Sequence, residues 1–111
     1  MGKNRTADLL QGALELLVLR LLRTQPLNGW DIMHRLQLVS GEVLTVTAGS
    51  LYPALYRLEA RGLVSGAWQQ SENNRRARVY RITAAGRRQL EAERETWTRF
   101  SSAVNTLLRD A

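Results

Sequence analysis

The chain has 111 residues, and its 16 lysines and arginines against 10 aspartates and glutamates leave a net charge of +6. That length suits one domain with a modest core, and the charge points to an anionic partner, nucleic acid first and a membrane surface second. The absence of cysteine excludes disulfides, thiol catalysis and cysteine metal sites.

Residues 1–7 are polar and carry Lys3 and Arg5, so they read as a flexible basic arm. Met1-Gly2-Lys3-Asn4-Arg5-Thr6 fits the loose myristoylation template and Asn4-Arg5-Thr6 the glycosylation sequon. Both patterns are short and frequent by chance. No secretory signal is expected, because the first apolar run begins at Leu9 and lacks a suitably placed small-residue cleavage site. That run ends at Leu22 and is interrupted by Gln11, Glu15 and Arg20, too short and too polar to span a bilayer. A soluble cytoplasmic protein with no membrane partner is the expectation.

Asp8 stands where it would cap a first helix running to about Arg23. Leu10, Leu14, Leu17 and Leu21 make one stripe, widened by Leu9, Leu16, Val18 and Leu22. A helix so apolar needs cover on more than one side, and a second subunit would supply part of it, which makes Leu10 and Leu14 candidate dimer contacts. Pro26-Leu27-Asn28-Gly29 reads as a turn, with Asn28 and Asp31 as the cap of a second helix that ends near Val39. Trp30, Met33 and Leu36 or their neighbours are its expected buried face. His34 is the single histidine and reads as a surface or packing residue, with no carboxylate pair or cysteine nearby to make a metal site or base. Val43 to Val46 is a short apolar run that suits a brief strand.

The third helix organises the chain. In Gly49 to Val64, Leu51, Leu55 and Leu58 recur at steps of four and three, which places them on one buried stripe. The other face carries Ser50, Tyr52, Pro53, Tyr56 and Arg57. Thr47 is the expected N-cap and Gly62 the C-terminal left-handed glycine. A short helix with an outer face of small, aromatic and basic groups suits close approach to a major groove.

Leu63 to Gln70 and Arg78 to Thr83 read as two strands, with Val64 and Trp68 alternating in the first and Tyr80 and Ile82 in the second. Ser71 to Ala77 forms the polar tip between them. From Asn73 to Arg88 there are six arginines (Arg75, Arg76, Arg78, Arg81, Arg87 and Arg88) and no acid. A hairpin so charged repels itself, and a polyanion is its natural neutraliser. The last helix starts at Thr83 to Gly86 and runs to about Arg109. Leu90, Trp97 and Val104 recur every seven residues, with Phe100, Leu107 and Leu108 beside them and an i,i+4 pair, Glu95 and Arg99, on the outer side. At about 1.5 Å per residue this helix is close to 40 Å long, and its heptad-like stripe reads as a dimerisation arm.

The expected fold is mainly α with a small β-hairpin: a winged helix-turn-helix DNA-binding domain over residues 8–83 and a C-terminal dimerisation helix over 84–111. The wording also resembles the PadR family of bacterial transcriptional regulators. The resemblance lies in Leu10-Gln11-Gly12, Gly29-Trp30, Gly49-Ser50-Leu51-Tyr52-Pro53-Ala54-Leu55, Leu58-Glu59-Ala60-Arg61-Gly62-Leu63 and Tyr80-Arg81-Ile82-Thr83-Ala84-Ala85-Gly86. It spans nearly the whole chain. Ser71 to Ala77 looks like the wing of the acidobacterial-type subgroup. Where the family often has Gly-Tyr this chain has Gly29-Trp30, and after Gly86 there is room for one helix only, as in short members.

The resemblance implies a homodimeric repressor on a pseudo-palindromic operator in double-stranded DNA. Ser50, Tyr52, Pro53, Tyr56 and Arg57 would enter the major groove, and Asn73, Asn74, Arg75, Arg76 and Arg78 would reach phosphates or the adjacent minor groove. Leu10, Leu14, Leu90, Trp97, Phe100, Val104, Leu107 and Leu108 would form the dimer interface. In short drug-sensing members a tryptophan on the last helix stacks a planar compound at that interface, which makes Trp97 and Phe100 candidate effector contacts. No cofactor, metal or catalytic residue is expected, since a single histidine and solvent-facing carboxylates do not converge. The alternative is a winged helix that docks proteins without binding DNA, and the arginine-rich hairpin argues against it. An RNA-binding role is disfavoured because the aromatics do not form a stacking platform on strands.

Overall fold

The computed structural model describes residues 5–70 and 73–110, folded in the order α1 (Arg5–Thr24), β1 (Leu27–Asn28), α2 (Gly29–Val39), α3 (Ala48–Ala60), β2 (Val64–Gln70), β3 (Arg76–Ile82) and α4 (Ala84–Asp110). This is the expected helical fold with a small antiparallel sheet. The helix is already formed at Arg5, so Asp8 is not its cap. Arg5, Thr6 and Ala7 include no glycine or proline to stop it. The rest of the expected arm, residues 1–4, lies outside the described residues.

The core is a single leucine-rich cluster. Leu14, Val18, Leu19 and Leu22 of α1 meet Ile32 and Leu36 of α2, Leu51, Leu55 and Leu58 of α3, and Leu90 of α4. In α2 the buried stripe is Gly29, Ile32 and Leu36, at helical steps of three and four. Trp30 falls off that stripe and is 63% exposed, a correction to its expected burial. It stacks instead on His34, four residues on, with ring centroids 5.1 Å apart and planes 10° from parallel. Asn28 does cap α2, its Oδ1 accepting the Asp31 N–H at 2.8 Å.

The run Val43 to Val46 is not a strand. Gly41 and Glu42 both take positive φ, 63° and 68°, and reverse the chain. The Ser40 hydroxyl then accepts the Leu44 N–H at 2.9 Å, which holds the turn closed with Leu44 and Val46 against the core.

α3 buries Leu51, Ala54, Leu55 and Leu58. Thr47 occupies the N-cap, although its side chain accepts no helix N–H. At the other end Gly62, at φ 73°, lets its N–H reach the Glu59 carbonyl at 3.0 Å while the Leu63 N–H reaches Leu58 at 2.9 Å. Those two bonds form a Schellman motif, which needs a left-handed residue at this position.

β2 and β3 pair antiparallel from Val64↔Ile82 to Gln70↔Arg76. β1, expected as part of a turn, pairs with β3 through Leu27↔Tyr80 and Asn28↔Val79. The sheet order is therefore β1-β3-β2. Thr83 then joins the hairpin to α4. Its N–H reaches the Leu63 carbonyl at 3.1 Å, its hydroxyl donates to the Gly62 carbonyl at 2.7 Å, and the same oxygen caps α4 by accepting the Gly86 N–H at 3.0 Å.

Only the first turns of α4 pack on the rest of the chain. Leu90 is buried in the core, and Arg23 of α1 pairs with Glu91 at 3.4 Å. Beyond Glu93, every described side chain of α4 except Ser101 and Val104 is exposed. This corrects part of the expected dimer face. Leu10, Leu14 and Leu90 are buried by their own chain, because α1 and α4 pack on each other and close that surface. Trp97, Phe100, Leu107 and Leu108 remain uncovered, with Val104 half-buried. Among the described residues no ion pair joins Glu95 to Arg99.

Candidate nucleic-acid interface

Because Leu51, Leu55 and Leu58 turn α3 one way, Tyr52, Pro53, Tyr56 and Arg57 are exposed on the other, with Ser50 half-buried at the start. Arg57 departs from expectation. Its Nε donates to Glu15 of α1 at 2.8 Å, and Arg61 reaches the same carboxylate at 3.2 Å. Arg57 is thus drawn back across the α1–α3 contact.

The wing presents Asn73, Asn74, Arg75 and Arg76, all exposed. Asn74 takes a positive φ of 61°, a conformation asparagine tolerates, and its side-chain carbonyl accepts a hydrogen bond from the Gln70 amide across the base of the tip. Arg76 lies over the Trp68 ring, 5.2 Å from its centroid. Arg78, directly opposite Trp68 in the ladder, sits 5.9 Å from that ring and 5.8 Å from the ring of Tyr80. It donates to Glu59 of α3 at 2.6 Å. So Arg78 does not stand out from the wing as expected; it ties the wing to α3. Gly66 makes room for it, since a Cβ there would lie 2.7 Å from Arg78 Nε.

α3 and the wing are brought together around one cleft of about 440 Å³, lined by Tyr52 of α3, Trp68, Arg76, Arg78 and Tyr80 of the sheet, and the Asn28–Trp30 start of α2. Tyr52 packs flush on Gly29, where any Cβ would run into its ring. Burial pushes the Tyr80 phenol above its ordinary value of 10.0, partly opposed by the Arg78 guanidinium beside it. Arg76 is the exposed charged group of the cleft's lining. Among the described residues no group of three or more histidines or carboxylates is placed to hold a metal, and no helix is long and apolar enough to cross a membrane.

Sequence reasoning missed Trp30 and Trp68 as members of this site, and Glu15 and Glu59 as partners of its arginines. Gly66 was the available signal, because an isolated glycine within a strand often marks a close approach.

Residues 18–92 match the Transcriptional regulator PadR-like family. The chain belongs to that family. PadR-like proteins are transcription regulators rather than enzymes. Over 49 residues the chain is 49% identical to transcriptional regulator Rv3488 of Mycobacterium tuberculosis, covering 44% of this chain and 45% of that one. It spans less than half the length of two of the curated relatives it matches, 24% and 45%. Along almost its full length it resembles the structure of a transcriptional regulator from Clostridium thermocellum, with a TM-score of 0.82 at 25% identity, covering 90% of this chain and 97% of that one. The Bacillus subtilis PadR structure in complex with operator DNA shares the fold at a TM-score of 0.65 and 24% identity, over 71% of this chain and 45% of that one. The PadR-like match contains α2, α3 and the wing, which build the cleft, together with the buried first turns of α4.

Proposed function

We propose that this PadR-like chain is a homodimeric, sequence-specific DNA-binding repressor. Tyr52 of α3 and Arg76 of the wing line one cleft, and that observation carries the reading. A helix presenting Ser50, Tyr52, Pro53 and Tyr56 beside a basic wing matches a reader of the major groove whose neighbour grips phosphates. Asn73, Asn74, Arg75 and Arg76 are the wing's phosphate or minor-groove contacts, and Arg57 and Arg78 act chiefly as struts. The Bacillus subtilis complex with operator DNA supports this choice of partner, since it shares the fold.

α4 is the dimerisation arm. Its distal half leaves Trp97, Phe100, Leu107 and Leu108 exposed, an apolar stripe that a second α4 would cover. A two-fold dimer places the two α3 helices on half-sites roughly one helical turn, about 34 Å, apart. Trp97 and Phe100, with centroids 5.9 Å apart, offer ring faces to a planar effector between the two arms. Such a ligand regulates only if it favours one dimer arrangement over another.

The test is a titration of labelled DNA from upstream of the protein's own gene, across salt, with wild type and Arg76→Ala. Specific binding that weakens steeply with salt, by about 0.9 log units per log unit for each phosphate neutralised, and weakens further in the variant is the expected result. No preference over random DNA, with a shallow salt slope, would favour the protein-docking reading.

A further inference from the structure

Two arginines of β3 share one ring and differ in one carboxylate. Arg76 lies 5.2 Å and Arg78 5.9 Å from the centroid of Trp68. Among the described residues Arg76 meets no carboxylate, whereas Arg78 donates to Glu59 at 2.6 Å. Glu59 is the one acid of α3, and its partner belongs to the run from Asn73 to Arg88 that holds six arginines and no acid. Arg78 is seated on three sides, by Trp68 opposite it in the ladder, by the Tyr80 ring at 5.8 Å, and by Gly66, where a Cβ would stand 2.7 Å from its Nε. Stability does not account for the carboxylate. The two side chains are 32% and 33% exposed, and ion pairs so open to water contribute little. What the carboxylate changes is the charge beside the cleft, which Arg78 lines together with Tyr52 and Arg76. A charge-assisted bond occupies guanidinium N–H groups that a phosphate would use, and the acid repels a phosphate that approaches.

We propose that Glu59 is a positioning residue that withholds Arg78 from phosphate and so lowers the sequence-independent affinity of the chain for DNA. The proposal rests on the DNA-binding reading above, and adds to it an acid on the reading helix whose effect is to weaken binding. Phosphate contacts add affinity to every sequence alike, and base contacts tell one sequence from another. A freed Arg78 would therefore hold the chain more tightly on any duplex without improving the choice among them. Loss of the Glu59 charge leaves the guanidinium seated by Trp68, Tyr80 and Gly66, at the open cleft and available to a phosphate. Arg76, on the same ring without a carboxylate, is already available.

The experiment is fluorescence anisotropy of a labelled random-sequence duplex titrated with the full chain, from about 50 to about 200 mM salt. The chains compared are wild type, Glu59→Gln, Arg78→Ala and the double variant, each measured below its melting transition. Glutamine keeps a side-chain carbonyl to accept the Arg78 N–H and removes only the charge. Glu95→Gln, at an exposed position of α4, makes the same change in net charge away from the wing. Glu59→Gln is expected to steepen the slope of log affinity against log salt by about 0.9, one phosphate. Taken over the decade below 1 M, that slope is about eightfold tighter binding at about 0.1 M salt. Arg78→Ala should keep the wild-type slope and abolish the gain in the double variant, and Glu95→Gln should keep the wild-type slope. An unchanged or shallower slope in Glu59→Gln would overturn the proposal, as would a gain that survives the loss of Arg78 or is matched by Glu95→Gln. Weaker binding by Glu59→Gln with a lowered melt would overturn it too, by reducing the pair to a strut. A wild-type chain with no affinity for the duplex would instead sink the DNA-binding reading, and the proposal with it.

Discussion

The phenol end of Tyr52 lies against Gly29, so close that a Cβ at position 29 would stand 2.6 Å from Tyr52 Cζ and 2.8 Å from Cε1. Gly29 is buried at the first turn of α2, with ordinary helical geometry, so its role is clearance rather than a special φ. Gly29→Ala is expected to push Tyr52 into the cleft, lower stability by about 1–3 kcal/mol as overpacking does, and weaken DNA binding. Denaturant unfolding and DNA titration measure both. In a Tyr52→Ala background Gly29→Ala should add no further binding defect, because the clash has lost its partner.

Arg57 and Arg76 are both expected DNA contacts, the first in the major groove and the second on phosphates or the minor groove, and their partners in the fold set them apart. Arg57 shares Glu15 with Arg61, whereas Arg76 is bound only to a ring face among the described residues. Arg76→Ala should lower the slope of log affinity against log salt by about 0.9, one phosphate contact. Arg57→Ala should leave that slope nearly unchanged and reduce stability by no more than about 1 kcal/mol, the usual worth of a partly exposed pair. Equal slope changes in the two variants would return Arg57 to the DNA contacts.

Tyr80 predicts an alkaline weakness. Burial raises its phenol above 10.0, so the folded chain holds the phenolic proton more tightly than the unfolded chain. The stability linked to that proton is fully present below pH 10.0 and is lost as pH rises through the raised folded value. Tyr80→Phe has no proton to lose there. Urea unfolding at about pH 9 and about pH 11 should show wild type losing more stability than the variant. A parallel loss in both would assign the alkaline weakness to other groups.

The two apolar faces of the chain make opposite predictions. Leu14→Ala opens a cavity in the core and should cost about 2–5 kcal/mol, leaving the assembly state unchanged while the protein is folded. Trp97→Asp, on the exposed arm, should leave the unfolding of the winged domain near wild type and yield a monomer. Sedimentation velocity beside thermal melts tests the pair. A dimer that survives Trp97→Asp would place the interface elsewhere.

The helices were legible where local chemistry decides them. The Leu51, Leu55 and Leu58 spacing, the left-handed Gly62 and the Asn28–Asp31 cap are all written within a few residues of where they act. The two strands of the wing were also legible, from β-branched and aromatic residues on either side of a polar tip, although of the alternating pair in β2 only Val64 reaches the core and Trp68 stays exposed. What stayed hidden depends on distant partners. Nothing near Leu27 says that it pairs with Tyr80, and nothing near Arg57 points to Glu15 in another helix. Trp30 was misjudged because a tryptophan in an amphipathic helix ordinarily belongs to the core; here the stripe passes through Ile32 and leaves the indole outside. At the candidate site the exposed aromatics and basic tip could be read, but their meeting around one cleft could not, since it requires the register that sets Trp68 against Arg78.

Thr83 has a consequence for signalling. With bonds to Leu63, Gly62 and Gly86 it ties the C-terminal end of α3 to the start of α4, and Gly86 is wedged against the Leu63 carbonyl. In the proposed dimer α3 and α4 therefore turn as one lever. In a symmetric pair, a change of about 10° in the crossing of two arms about 40 Å long carries the far ends through about 7 Å, so a slight repacking between the arms becomes a mismatch with the pitch of DNA.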